Sequence, residues 1–146
     1  MIPFAKSVQF VRQIRGTHNY PIEAICRVDS GVDVFYLKYS RTSFELAGLV
    51  SEIVCHLLAR ELELKTPDIS YVEIDDHRIP SDFDYIHCFN PGSVVFGSKK
   101  IYENASDLNK LEFIFSKNEF NKLAEPLDIF RIGIYDLWIG NKDRSH

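Results

Sequence analysis

Along the first forty residues, apolar and polar positions change over in short runs broken by turn signals. Residues 8–14 mix the two classes at strand-like spacing, and Gly16-Thr17-His18-Asn19 with Pro21 interrupts them. Residues 22–28 form a second run, Asp29-Ser30-Gly31 carries the residue types of a tight turn, and residues 32–39 follow. This third run holds Val32, Val34, Phe35, Tyr36, Leu37 and Tyr39, β-branched and aromatic side chains that suit a pleated surface. The pattern predicts a three-stranded meander.

The period then changes. Between residues 43 and 62, Leu46, Val50, Ile53, Leu57 and Leu58 recur at three- and four-residue steps, which predicts a helix with one apolar face. Thr42 or Ser43 can cap its start, Glu45 lies in its first turn, and Pro67 follows its end. Residues 69–74 alternate again as a strand. Residues 75–107, rich in Asp, Gly, Ser, Pro and Asn, read as a long loop region. Short helices are expected over 107–115 and 118–123.

Pro126 then suits the first position of a strong helical segment running to Gly140, with Leu127, Phe130, Ile134, Leu137 and Trp138 on one face. Ile129, Ile132, Tyr135 and Ile139 widen that apolar surface, so the helix is expected to be buried or to dock something. Strands, helix, strand and then helices make an α+β organisation.

Composition narrows the function classes. The 146 residues are 45% hydrophobic and 26% charged, a globular balance. The net charge of -4, with no Lys/Arg run longer than Lys99-Lys100, argues against a nucleic-acid partner. Cys26, Cys55 and Cys88 are far apart and odd in number, against a disulfide framework or a zinc site. A reducing cytoplasm suits them. The N-terminus lacks the apolar run of a signal peptide, and no stretch reaches the roughly 18 apolar residues that a membrane span needs.

Four places could carry chemistry. Lys38 ends the third strand, where an outward-facing, solvated lysine is the default. Glu52 flanks the apolar face of the following helix, either as a solvated residue or as a carboxylate paired with Lys38. A strand lysine followed by a helix glutamate is the arrangement by which kinases hold an ammonium against nucleotide phosphates. Gly16-Thr17-His18 is an ordinary turn or one that lets backbone approach a phosphate closely. The helix ending at Gly140 runs into Asn141-Lys142-Asp143-Arg144, which looks like a phosphotransferase catalytic loop, with Asp143 as the base and Arg144 fixing the loop or neutralising phosphate charge. The bland alternative is a polar tail with Gly140 as helix cap.

Taken together, Leu37-Lys38, Leu49-Val50-Ser51-Glu52, Phe96-Gly97-Ser98-Lys99 and residues 136–144 resemble HipA-like Ser/Thr kinases, in particular a short, stand-alone group that opens with a Gly-Thr-His turn. The similarity covers most of the chain. It implies a protein-kinase-like N-lobe, a small antiparallel sheet plus helix over residues 1–104. The first helices of a C-lobe and the catalytic loop would occupy 105–146. It further implies ATP and Mg²⁺ as cofactors, Lys38 on the phosphates, Glu52 bracing it, Gly16, Thr17 and His18 over the nucleotide, and Asp143 as the catalytic base. Well-known members of the family phosphorylate proteins as toxins of toxin–antitoxin systems.

Two departures qualify this. The family reads Asp-Arg-His where this chain has Asp143-Arg144-Ser145-His146, and the chain ends before the family's metal-binding Asn and Asp. The chain is therefore expected to be the front portion of a single kinase domain, inactive alone or binding nucleotide weakly. The rival expectation, from a different class, is a non-catalytic module that docks a protein partner or a second copy through the apolar helix at 127–139.

Overall fold

The computed structural model describes residues 1–15, 21–40, 43–75, 79–84, 92–101 and 126–140. Among them the order is β1 (Phe4–Gln13), β2 (Ile22–Val28), β3 (Gly31–Lys38), α1 (Ser43–Glu61), β4 (Ile69–Glu73), β5 (Val94–Lys99) and α2 (Pro126–Ile139). The mixed α and β content matches the α+β expectation. The helices expected over 107–115 and 118–123 lie outside the described residues. The chain forms two compact units: Met1–Ile53 with Pro67–Ile101, and Val54–Thr66 with Tyr102–His146.

The first unit is a closed barrel with strand order β1-β2-β3-β5-β4. The expected sheet is small and antiparallel; the sheet found closes on itself and includes one parallel pair. Strands that alternate in direction cannot close a ring of five without one parallel pair. That pair is β1 with β4, in register at Phe4 and Tyr71; every other neighbouring pair is antiparallel. The crossover through α1, between β3 and β4, lets β4 run in the direction of β1, which a hairpin could not do.

Strand β5 falls inside the stretch read as loop. Only Val94, Val95 and Phe96 are strongly apolar there, and Gly97, Ser98 and Lys99 dilute the signal. Its pairing with β3 on one side and β4 on the other makes it a strand.

A five-stranded barrel is narrow, and side chains fill it. Phe10, Ile22, Phe35, Leu37, Val72 and Ile74 are among the buried residues of the interior. Space is shortest at Gly97, where a Cβ would lie 2.8 Å from Val72 Cγ2 and 3.3 Å from both Leu37 Cδ2 and Phe35 Cδ1. Residues 79–84 add Ile79 and Phe83 to the same core, and Phe83 meets Phe10 edge-on with ring centroids 6.2 Å apart. Gln13 holds this segment as a strand neighbour would. Its side-chain oxygen accepts from the Asp84 N–H at 2.9 Å, and its amide nitrogen donates to the Asp84 carbonyl at 3.2 Å.

In the second unit, α1 ends in a Schellman motif. The Leu64 N–H donates to the Ala59 carbonyl and the Glu63 N–H to the Arg60 carbonyl, both at 2.9 Å, with Glu63 left-handed at φ 58°. Leu64 and Ala59 are buried with Tyr135 of α2, and Cys55, Ile132 and Ile139 pack on them. The Tyr135 hydroxyl donates to the Cys55 carbonyl. Gly140 caps α2 at φ 70°.

The helix faces differ from those that periodicity selected. Leu127, Phe130, Ile134, Leu137 and Trp138 are exposed, as are Leu46, Val50, Leu57 and Leu58 on α1. Both helices carry apolar residues around most of their circumference. A count of apolar steps therefore identifies a helix but does not single out the buried face. Among the described residues no helix is long and apolar enough to cross a membrane.

Gly97→Ala forces a methyl against Val72, a β-branched side chain locked in the core. It should lower unfolding stability by about 1–3 kcal/mol in urea titrations. An unchanged midpoint would show that the barrel has slack at its tightest point.

Candidate functional site

Alternation along β3 decides where its side chains go. Phe35 and Leu37 point inward and are buried, so Tyr36 and Lys38 stand on the outer face. On that face the Lys38 ammonium forms an ion pair with the Glu52 carboxylate from α1. The two side chains are 27% and 38% exposed, so solvent screens the pair and its contribution to stability is of order 0–1 kcal/mol. Its significance is geometric. It fixes an ammonium at the end of a strand while leaving part of it accessible.

Cross-strand partners share a face, which gives the surroundings of Lys38. One row runs Arg12, Glu23, Tyr36, Ser98, Ile69 across all five strands, and the next runs Lys38, Phe96, Tyr71, Phe4. Glu23 is only 5% exposed despite facing outward. Arg12 Nε at 2.7 Å and Lys100 Nζ at 2.6 Å cover it. Lys100 Nζ also lies 5.9 Å from the centre of the Tyr36 ring.

These bonds set the local electrostatics. The Lys100 hydrogen bond holds the Glu23 carboxyl below the usual carboxylate range, with Arg12 adding to it and burial opposing. At the other end of β3, a hydrogen bond to Asp33 raises Lys99. Burial pushes the Cys26 thiol up to about 12, which removes it as a nucleophile.

The structure thus brings Lys38 and Glu52 together. Gly16, Thr17, His18 and Asp143 lie outside the described residues, as does Arg144. The root of the β1–β2 connection is described: the Ile14 N–H donates to the Pro21 carbonyl at 2.9 Å. Because Gln13 pairs with Ile22 and Ile22 with Leu37, that connection leaves the barrel at the end where β3 presents Lys38. Among the described residues no group of three or more His, Cys, Asp or Glu is placed to hold a metal ion.

Sequence reasoning missed Glu23, Tyr36 and Lys100 as a unit. The available signal was a single acidic residue inside the apolar run Ile22-Glu23-Ala24-Ile25-Cys26.

Glu23 makes stability depend on pH. Its carboxyl titrates lower folded than unfolded, so the unfolded chain takes up the proton first. The stabilisation is complete above the unfolded value of about 4.3 and is lost as pH falls through the folded value. Glu23→Gln should lower stability by about 1–3 kcal/mol at pH 7, with the gap to wild type closing below about pH 4. A gap that stays constant on acidification would remove Glu23 as the group responsible.

Comparison with known proteins gives one family. The family model described as HipA-like kinase matches residues 9–146. No curated protein and no solved structure matches the chain.

Proposed function

The chain belongs to the HipA-like kinase family, and from that membership we propose that its barrel and α1 act as a kinase-like N-lobe that binds the phosphates of ATP at Lys38. Membership carries a kinase-like function in general. The finer reading rests on one observation: Lys38 stands on the outer face of β3, half-exposed and held by Glu52.

An isolated strand lysine samples many positions, and each phosphate contact must then overcome its rotamer entropy. A carboxylate on one side of the ammonium restricts that freedom and leaves the remaining N–H donors for a phosphate oxygen. The ammonium is a compact charge, which suits a point contact to the α- and β-phosphates. In this reading Gly16, Thr17 and His18 cover the nucleotide from the β1–β2 connection. Asp143 orients a substrate hydroxyl and takes its proton as the γ-phosphoryl group transfers to the oxygen. The hydroxyl belongs to a protein substrate. Magnesium would neutralise phosphate charge in such a reaction; among the described residues no group of three or more His, Cys, Asp or Glu is placed to hold it.

Titration calorimetry with ATP checks the reading. Wild type should bind, weakly, and Lys38→Ala should weaken binding at least tenfold while leaving the thermal midpoint within a few degrees. Equal affinity in both proteins, or no binding to wild type, would remove Lys38 from the phosphate role.

A further inference from the structure

We infer that residues 79–84 are a strap that holds the root of the β1–β2 connection, with Arg15 and Asp84 as positioning residues for nucleotide binding. The inference rests on the phosphate reading of Lys38 and of the connection that carries Gly16, Thr17 and His18.

The strap has an apolar anchor and a polar grip. A tight turn, closed by the Phe83 N–H donating to the Pro80 carbonyl at 3.2 Å, turns Phe83 toward the barrel and leaves Asp82 and Asp84 exposed. Ile79 and Phe83 pack on the barrel core, which ties the segment down. The polar groups of residues 82–84 then meet the end of β1. Gln13 bonds both backbone groups of Asp84, at 2.9 and 3.2 Å, and its amide nitrogen lies 3.5 Å from the Tyr39 hydroxyl just past β3. Two residues on, one Arg15 nitrogen donates to the Asp82 carbonyl at 3.3 Å, and Nε faces the Asp84 carboxylate at 3.4 Å. Four contacts thus join residues 13–15 to a segment distant in sequence.

Their place decides what they do. Arg15 directly precedes Gly16, at the end of the barrel where β3 presents Lys38. The Arg15 side chain is 66% exposed and that of Asp84 47%, so solvent screens the pair and its loss costs the fold little. What the pair limits is the freedom of the chain entering the connection. Each residue freed there must be ordered again when the connection closes on phosphates, and that ordering opposes binding. A guanidinium directed at two strap acceptors is a brace for the connection, whereas a direct phosphate ligand would gain from losing a competing carboxylate.

The test measures ATP affinity by calorimetry on the intact chain with Arg15→Ala, Asp84→Ala and both together. Each single variant should bind ATP about three- to tenfold more weakly, with the thermal midpoint within a few degrees of wild type, and the double variant should be no weaker than the singles. In wild type, saturating ATP should slow hydrogen exchange at the Asp84 amide, which donates to Gln13, by a similar factor, because a strap that favours the nucleotide is favoured by it. This readout needs no variant to fold. A loss in Arg15→Ala with full or tighter binding in Asp84→Ala would make Arg15 a phosphate ligand and overturn the strap. Additive losses, or Asp84 exchange indifferent to ATP, overturn it too, and in each case a loss in Lys38→Ala leaves the phosphate reading standing. Full affinity in Lys38→Ala overturns the phosphate reading, and absence of ATP binding by wild type overturns both.

Discussion

Leu37 is fully buried in the barrel, and its side chain would meet any Cβ added at Gly97. Its burial fixes the register of β3. A slip of one residue would drive Lys38 into a closed apolar interior and push Leu37 into water, an exchange of several kcal/mol in the wrong direction. The packing that builds the core therefore also aims the lysine. Once Lys38 is outside, α1 needs only to place one carboxylate beside it, and Glu52 does so.

The same alternation distributes charge. Inward positions of β2 hold Ile22, Ala24 and Cys26, all buried, while Glu23 faces outward between Arg12 and Lys100. Tyr36 lies between that balanced cluster and the Lys38–Glu52 pair. One face of a small barrel thereby offers an ammonium, an aromatic ring and a neutralised polar cluster within three strands. Stability and presentation remain separable. The buried interior contributes most of the folding energy, and the half-exposed Lys38–Glu52 pair contributes little.

How much of this was legible depended on what each segment's pattern could encode. Strands β2, β3 and β4 and helix α1 carry their own period, and their bounds in the sequence and in the structure nearly coincide, whereas β1 begins at Phe4, ahead of the run read over 8–14, and its added residues Phe4, Ala5 and Lys6 are the ones that pair with β4. Strand β5 carries no such period. Three apolar residues followed by Gly97-Ser98-Lys99 read as loop, and only β3 and β4 on either side make them a strand. Barrel closure was invisible for the same reason, since no local pattern reports that β1 pairs with β4. On α2 the error was of another kind. Leu127, Phe130, Ile134, Leu137 and Trp138 form the more apolar stripe, yet Ile132, Tyr135 and Ile139 are the side chains that pack. The residue types of Lys38 and Glu52 suggested a pair, and the fold brings the two together. Glu23 and Tyr36 are partners in the β2–β3 hairpin, whereas Lys100, just past β5, is distant in sequence, and no local spacing connects it to them.

The central claim is that Glu52 acts on the nucleotide through Lys38. A double-mutant cycle on ATP affinity, with Lys38→Ala, Glu52→Gln and both together, measures this directly. Glu52→Gln should weaken ATP several-fold in the wild-type background and have no effect once Lys38 is gone. Additive losses would mean that the two residues act independently. Tighter ATP binding by Glu52→Gln would mean that the carboxylate merely repels phosphate, and would contradict the account.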